Sequence, residues 1–580
     1  MTARSHSHSA TKSKMLVTYA LLLAVALLLA QRLSANTTEY KKLKEQAALY
    51  GGSWIPGGWV LAGIKAFLYV PEYIRTGYHE YNLIGKPFRV PNFFRGDIVF
   101  LPSSALKEVR SASSSKISNV AAIIDTLAID KVLINKELQM HPYHIDLTHT
   151  AITKNLASIV PDLEDEITHA FNTLIEPKLP EIEDAEGWTK LEWEDLKEIM
   201  DRTANRTFVG FPQCRNRKLL RIVNDFTSSV VTTGIIMGFF PMFLRAYIAP
   251  FAALINNLRV KRVERMLAGI ITQRLELANQ FKERVEDVGS QQELPNDFLQ
   301  ALVNTAIEHG EGNVSNITLR IMVMDFSSIH TTNNAIQNCL LNLASTHDYQ
   351  SSRLETYVEE LRTELLAVYA DSDVKPKPTS YSQSFHGKTT GWTLNDLQKL
   401  VGLDSFIGET LRLHYLNPGS VLRKVTADHG FDLKSIDLHL PNHTIFAFAG
   451  SEFNQENYEK PKQFNGFRSS LPYQYIKEQE TIDAIELARR HGFTPNGRTS
   501  TNTGHSNFLS FGTGRHACSG RFYAVAALKL MLKHVLLNYD VRLEGGRKSR
   551  PECKRFFLYQ LPYEGAGTRI EIRRRRKTSQ

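Results

Sequence analysis

The sequence predicts a mainly α-helical protein with small β-sheets, and three observations carry that expectation. Apolar residues recur at helical spacing through residues 191–200, 260–285 and 521–538. Strand signals are short and scattered, near residues 98–101, 420–424 and 444–448. The 580 residues contain no internal repeat and no long low-complexity tract. One large domain over residues 51–580 is therefore expected, although the length alone would allow several.

Taken in order, residues 1–14 are a polar tail in which His6 and His8 are read as solvated. Residues 15–30 are uncharged and mostly Leu, Ala and Val, bracketed by Lys12, Lys14 and Arg32. At ~1.5 Å per residue such a helix reaches about 24 Å, somewhat short of the usual span of ~20 residues. Residues 15–31 are expected to anchor the chain in a membrane, with a linker over 32–50. A cleaved signal peptide, whose apolar core needs only ~7–15 residues, is the competing reading. Between 371 and 391, Lys, Pro, Ser and Thr replace the apolar period, which predicts an exposed insertion. Thr393 followed by Asp396 has the capping-box pattern and is expected to open the helix that carries Glu409. At the end of the chain, residues 556–561 and 569–573 are expected to pair as a hairpin around Glu564-Gly565-Ala566-Gly567.

A formal charge of +9 implies attraction to acidic surfaces. Arg573 to Lys577 is a basic run, yet no aromatic-interleaved basic motif accompanies it, so nucleic acid is not an expected partner. The four cysteines, Cys214, Cys339, Cys518 and Cys553, do not make a disulfide framework. No Cys-x-x-Cys or His-rich spacing suggests structural zinc.

The most informative stretch is Phe511-Gly512-Thr513-Gly514-Arg515-His516-Ala517-Cys518-Ser519-Gly520-Arg521. Its glycines allow tight turns and the close approach of a flat ligand. Cys518 stands just before the helix predicted over 521–538, whose N-terminus is expected to lower the thiol pKa. Val525, Leu528, Leu532, Val535 and Leu536 share one face of that helix, and Lys529 and Lys533 are expected on the surface. Spacing alone suits either a thiolate ligand of haem iron or a buried structural thiol. A nucleotide loop would need a Lys-Ser/Thr ending that is missing here.

This segment resembles the haem-binding loop of the cytochrome P-450 superfamily, Phe-x-x-Gly-x-Arg-x-Cys-x-Gly, matched by Phe511, Gly514, Cys518 and Gly520. His516 replaces the family's Arg and Ser519 its frequent Pro; many fungal members carry the same Arg-His pair. Other parts of the pattern occur upstream in order. Glu409-Thr410-Leu411-Arg412 is similar to the Glu-x-x-Arg motif, and Phe464-Asn465-Gly466-Phe467-Arg468 resembles the segment that supplies a third member, Arg468, to a buried cluster. Ser327-Ser328-Ile329-His330-Thr331-Thr332 resembles the oxygen-side motif, with His330 where an acid normally stands. Residues 205–210, 214–216 and 295–299 also look like fungal members. The family's early Trp-x-x-x-Arg is absent from residues 141–155, where Lys154 or His149 would have to serve.

The resemblance implies a cytochrome P-450 fold, haem b held by Cys518 as axial ligand, and propionate contacts from His516 and Arg423. It implies that Thr331 delivers protons with His330 as assistant, and that Glu409, Arg412 and Arg468 hold structure. Residues 121–128, 322–328, 418–421 and 556–559 would border an apolar substrate cavity. The expected activity is monooxygenation of a lipophilic molecule, with terpenoid suggested by family analogy. Expected partners are an NADPH-cytochrome P-450 reductase, cytochrome b5 and membrane lipid, with Lys529, Lys533, Arg515 and Arg521 beside the docked electron donor. The expected location is the endoplasmic reticulum membrane, with the body in the cytosol. The alternatives are a haem-thiolate isomerase or dehydratase that does not use dioxygen, and a non-catalytic haem or lipid-binding protein.

Overall fold

A computed structural model describes residues 38–51, 65–66, 69–91, 97–133, 138, 141–180, 187–238, 242–284, 294–345, 356–370, 391–414, 418–450, 458, 460–470, 500–501, 508–556, 559–562 and 569–575. The expected anchor at 15–31, nearly all of the expected insertion at 371–391 and the tip of the expected terminal hairpin lie outside them. No helix among the described residues is long and apolar enough to cross a membrane.

In chain order the helices are α1 (Thr38–Gln46), α2 (Val70–Glu80), α3 (Leu106–Ser111), α4 (Asn119–Leu127), α5 (Ile129–Val132), α6 (Tyr143–Leu147), α7 (Leu156–Leu174), α8 (Trp193–Phe208) and α9 (Arg217–Gly238). They continue with α10 (Met242–Arg284), α11 (Phe298–Glu308), α12 (Val314–Ala344), α13 (Tyr357–Ala370), α14 (Leu394–Lys399), α15 (Val401–Leu413) and α16 (Arg521–Asn538). The strands are β1 (Ala48–Leu49), β2 (Phe88–Val90), β3 (Ile98–Leu101), β4 (Ile117–Ser118), β5 (Thr189–Leu191), β6 (Gly419–Val425) and β7 (Phe431–Leu433). They end with β8 (Leu438–Leu440), β9 (Ile445–Ala449), β10 (Tyr539–Leu543), β11 (Cys553–Phe556), β12 (Tyr559–Pro562) and β13 (Ile570–Arg574). The mainly helical expectation and the three predicted strands are thus met. Two compact units form, each from several stretches of chain: residues 1–136, 228–258 and 421–448 in one, and 137–227, 259–420 and 449–580 in the other.

The first unit holds a six-stranded sheet in the order β1-β2-β3-β9-β6-β4. β3 and β9 pair in parallel and are almost wholly buried, which explains why Ile98-Val99-Phe100-Leu101 and Ile445-Phe446-Ala447-Phe448 read as continuous apolar runs rather than alternating ones. Buried Arg89, on β2 between β1 and β3, donates to the Ala47 carbonyl at 2.8 Å and pairs with Asp97, so its charge is satisfied.

The second unit is built around α12, which packs against α8, α15 and α16. α16 is buried on nearly every side. This corrects the expected placement of Lys529 and Lys533 on the surface: they are 5 % and 6 % exposed. Lys529 Nζ lies 3.0 Å from Asp404 and donates to the Leu397 and Leu400 carbonyls, while Lys533 pairs with Glu164. Buried cations are tolerated because each meets a carboxylate brought from elsewhere in the chain.

Two further local expectations change. The capping box at Thr393 and Asp396 forms, but it opens the short α14; Leu400 breaks the run, and Glu409 rides on the separate α15. The terminal hairpin is β11 with β12, while β13 joins β10 and β5 in a three-stranded sheet.

Tyr357, Phe406, Phe464 and Phe467 form an aromatic cluster around Gly466, whose N–H donates to the Tyr357 hydroxyl at 2.9 Å. A Cβ at Gly466 would meet Phe406 at 2.7 Å and Tyr357 at 2.9 Å. Gly466→Ala is expected to lower stability by about 1–3 kcal/mol through overpacking, read as a lower urea midpoint; an unchanged midpoint would contradict it.

Candidate active site

The cysteine loop is wound by short-range backbone bonds. Gly512 and Gly514 adopt φ of +69° and +65°, the left-handed region that glycine enters without penalty. The Gly512 N–H donates to the Leu509 carbonyl at 2.9 Å, Ala517 to Gly514 at 3.1 Å and Cys518 to Phe511 at 2.8 Å. Phe511 thus fixes the cysteine backbone as well as lying beside it. Gly520 has an ordinary φ of −85°, so no turn requires glycine there; a Cβ at this position would meet no protein atom within 4 Å. His516 sits in the 3-10 turn Gly514–His516, and Arg515 is exposed.

Cys518 differs from Cys214 and Cys339, which are buried and whose thiols burial pushes up to about 12. Cys518 is exposed. Its thiol is nevertheless raised, because protein packed around the loop outweighs the hydrogen bonds from the Gly520 and Arg521 N–H groups and the Arg521 charge. The expectation that the helix terminus alone lowers it is corrected: two donors and one cation do not offset the desolvation.

The loop is tied to the rest of its unit at several points. Ser510 Oγ donates to the Leu411 carbonyl at 3.0 Å, joining it to α15. The Arg521 guanidinium reaches the Cys518 carbonyl at 2.9 Å and the Thr501 carbonyl at 3.1 Å. Thr153 Oγ1 lies 3.5 Å from the Ser519 carbonyl and belongs to a π-helix, Thr148–Thr153, that the sequence reading missed. Six consecutive π residues leave no apolar period to detect; the cluster of three threonines is the sole local signal. His149 and Lys154, the candidates for a propionate contact, are both exposed at this segment.

Glu409, Arg412 and Arg468 do come together. Arg412 grips the carboxylate with Nε at 2.8 Å and Nη2 at 2.9 Å, and Arg468 Nε reaches it at 3.1 Å. The Asn465 N–H adds a fourth donor at 3.1 Å. Arg412 also stacks 4.6 Å from the Tyr458 ring, whose hydroxyl burial pushes up to about 12. Arg468 in turn donates to the Gln463 carbonyl at 2.9 Å, which closes the segment around itself.

Thr331 and His330 are adjacent on α12. Thr331 is exposed, and its hydroxyl donates to the Ser327 and Ser328 carbonyls at 3.1 and 3.0 Å. His330 Nε2 is buried without a hydrogen-bond partner, and burial, helped by the Lys197 charge, lowers the ring to about 4. His330 is therefore neutral at pH 7.

The position of α12 is set by polar contacts that sequence reasoning did not find. Asn205 Nδ2 donates to Asp325 at 2.9 Å, Asn333 Nδ2 to Asp201 at 3.4 Å, and Asn342 Nδ2 to the Thr410 hydroxyl at 3.0 Å. Burial raises Asp201 to about 6 and Asp325 well above its usual range. Arg423 lies in the other unit, on β6, 2 % exposed; its Nη1 donates to the Leu422 carbonyl at 2.8 Å, and burial lowers it to about 10.

The donor set fits haem. One exposed thiol stands at the start of a helix with two backbone N–H groups on its sulfur, as a single axial thiolate needs. Among the described residues no group of three or more His, Cys, Asp or Glu could hold a metal ion. Iron would deprotonate the sulfur directly, so a raised thiol does not oppose ligation.

Comparison with known proteins agrees with this geometry. A curated relative from Postia placenta, "Cytochrome P450 monooxygenase 151", is 28 % identical over 511 residues, covering 87 % of this chain and 90 % of its own. "Cytochrome P450 monooxygenase paxQ" of Penicillium paxilli is 26 % identical over 524 residues, covering 88 % and 89 %. The solved structure "Retinoic acid bound cyanobacterial CYP120A1" superposes with a TM-score of 0.55 at 15 % identity, covering 88 % of this chain and 96 % of that one, which shows the fold. The sequence model of the Cytochrome P450 family matches residues 215–565, from just before α9 past the cysteine loop. With that match over more than half its length, this chain belongs to the cytochrome P450 family, as an enzyme of the monooxygenase kind.

Proposed function

We propose that the protein oxidises a lipophilic small molecule, of terpenoid class, with dioxygen and with electrons from an NADPH-dependent reductase. The observation that carries this reading is the presence, within one unit, of the exposed thiol of Cys518 and of the exposed hydroxyl of Thr331 on α12. Haem, when bound, supplies the oxygen activation and the redox step. Thr331 already gives its proton to backbone carbonyls, so its oxygen is left to accept from water and hold it in place. His330, kept neutral by burial, has one unprotonated ring nitrogen able to accept a hydrogen bond, and is read as an assistant to Thr331. His516 on the loop is read as a propionate contact, as is Arg423. The relatives' fungal origin supports a role in secondary metabolism, and residues 15–31 are read as an anchor that leaves the body on the cytosolic side of the endoplasmic reticulum.

Microsomes containing this chain and its reductase are expected to convert a member of a terpene panel to an oxygenated product only when NADPH is present. Rearranged product without NADPH would establish the isomerase reading instead. General acid–base groups contribute ~10²–10⁴-fold, so Thr331→Ala should cut product by about tenfold or more while NADPH consumption continues. Unchanged product per NADPH would remove Thr331 from the mechanism.

A further inference from the structure

A cavity of about 820 Å³ opens between the first turns of α9 and the middle of α10, away from every residue assigned above. Arg217, Lys218 and Arg221 line it from α9, and Arg262 and Arg265 from α10. Ile222 and Met266 supply the rest of the lining, and no carboxylate is part of it. All seven residues belong to the second unit.

The spacing explains the convergence. Residues 217, 218, 221 and 222 share one helix face, as do 262, 265 and 266, so two basic stripes confront each other across the groove. Internal neutralisation is slight. Arg217 Nε lies 2.9 Å from Glu198, but that carboxylate is shared with Arg202. Glu264, beside the groove, is taken by Lys261 at 3.1 Å. Lys218, Arg221, Arg262 and Arg265 make no ion pair among the described residues, and all four are exposed. The first N–H groups of α9 are already capped by Asn216 Oδ1, at 3.2 and 3.3 Å from the Lys218 and Leu219 nitrogens, so the side chains are the available donors.

Like charges gathered in a concave site repel one another and focus a positive potential on whatever enters. Guanidinium forks match the oxygens of phosphate two at a time, and a volume of this size suits a compact ligand rather than an extended one. We infer that the α9–α10 groove is a binding site for a multiply charged phosphate group, presented either by a soluble phosphate compound or by the headgroup of an anionic phospholipid.

The test uses the full, haem-loaded chain in neutral detergent, with inorganic pyrophosphate as the soluble probe and vesicles of phosphatidylcholine with or without phosphatidic acid as the lipid probe. The variant Arg221→Gln/Arg262→Gln/Arg265→Gln is compared with a control of equal charge change on exposed lysines elsewhere, Lys41→Gln/Lys42→Gln/Lys107→Gln. The groove variant is expected to weaken binding by about tenfold or more, and the control to stay within about twofold. Loss with pyrophosphate assigns a soluble ligand; loss confined to phosphatidic acid vesicles assigns a headgroup. If the triple variant does not retain its haem spectrum, Arg265→Gln alone should still weaken binding by about threefold. The inference fails if neither probe binds, if variant and control lose affinity equally, or if polyglutamate binds in place of both phosphate probes.

Discussion

Replacing Cys518 by Ala is expected to abolish both the thiolate-type Soret shift of the reduced, carbon-monoxide-treated protein and all NADPH-dependent product. The effect should be complete, because Cys518 is exposed on the loop, while Cys214 and Cys339 are buried with thiols pushed up to about 12. Neither can stand in. The fold should survive the change, since the loop is held by backbone bonds from Gly512, Ala517 and Cys518 and by the Ser510 tether, none of which uses the sulfur. Folded, pigmented protein with full turnover after Cys518→Ala would refute the assignment of the axial ligand.

The second large effect concerns stability. Glu409 accepts from Arg412, Arg468 and the Asn465 N–H, and the Arg412 side chain is 1 % exposed. Glu409→Gln leaves two guanidinium groups facing a neutral amide in a site closed to water. Removing one partner of a buried pair costs about 3–5 kcal/mol, so most of the expressed chain should fail to accumulate as folded protein. Arg468→Lys keeps a charge near the carboxylate, with the position 15 % exposed, and should lose much less. Comparing haem retention against urea for the two variants checks this; equal midpoints for Glu409→Gln and the unaltered protein would show that the cluster does not hold the loop side together.

How much of this was legible in the sequence depends on how local each determinant is. The helix over 521–538 was readable because glycine precedes it and apolar residues recur along it at helical spacing. The capping box at Thr393 and Asp396 was readable for the same reason, but its helix ends at Lys399, and nothing local announces the break at Leu400. Lys529 and Lys533 were misplaced because the carboxylates that bury them, Asp404 and Glu164, stand more than a hundred residues away. The Glu409 cluster was recoverable only by matching a known pattern, since residues 409 and 468 share no periodicity. The His330 shift was out of reach altogether, because it comes from the burial of one ring rather than from its neighbours in the chain.

The interior position of the two α16 lysines changes how an electron-donor footprint should be sought. A charge-reversal survey of the cysteine side that included Lys529 or Lys533 would strand Asp404 or Glu164 and yield broken protein, which a rate assay alone would score as failed recognition. Arg515, which projects into solvent three residues before the cysteine, is the cation at which such a survey can separate encounter from collapse.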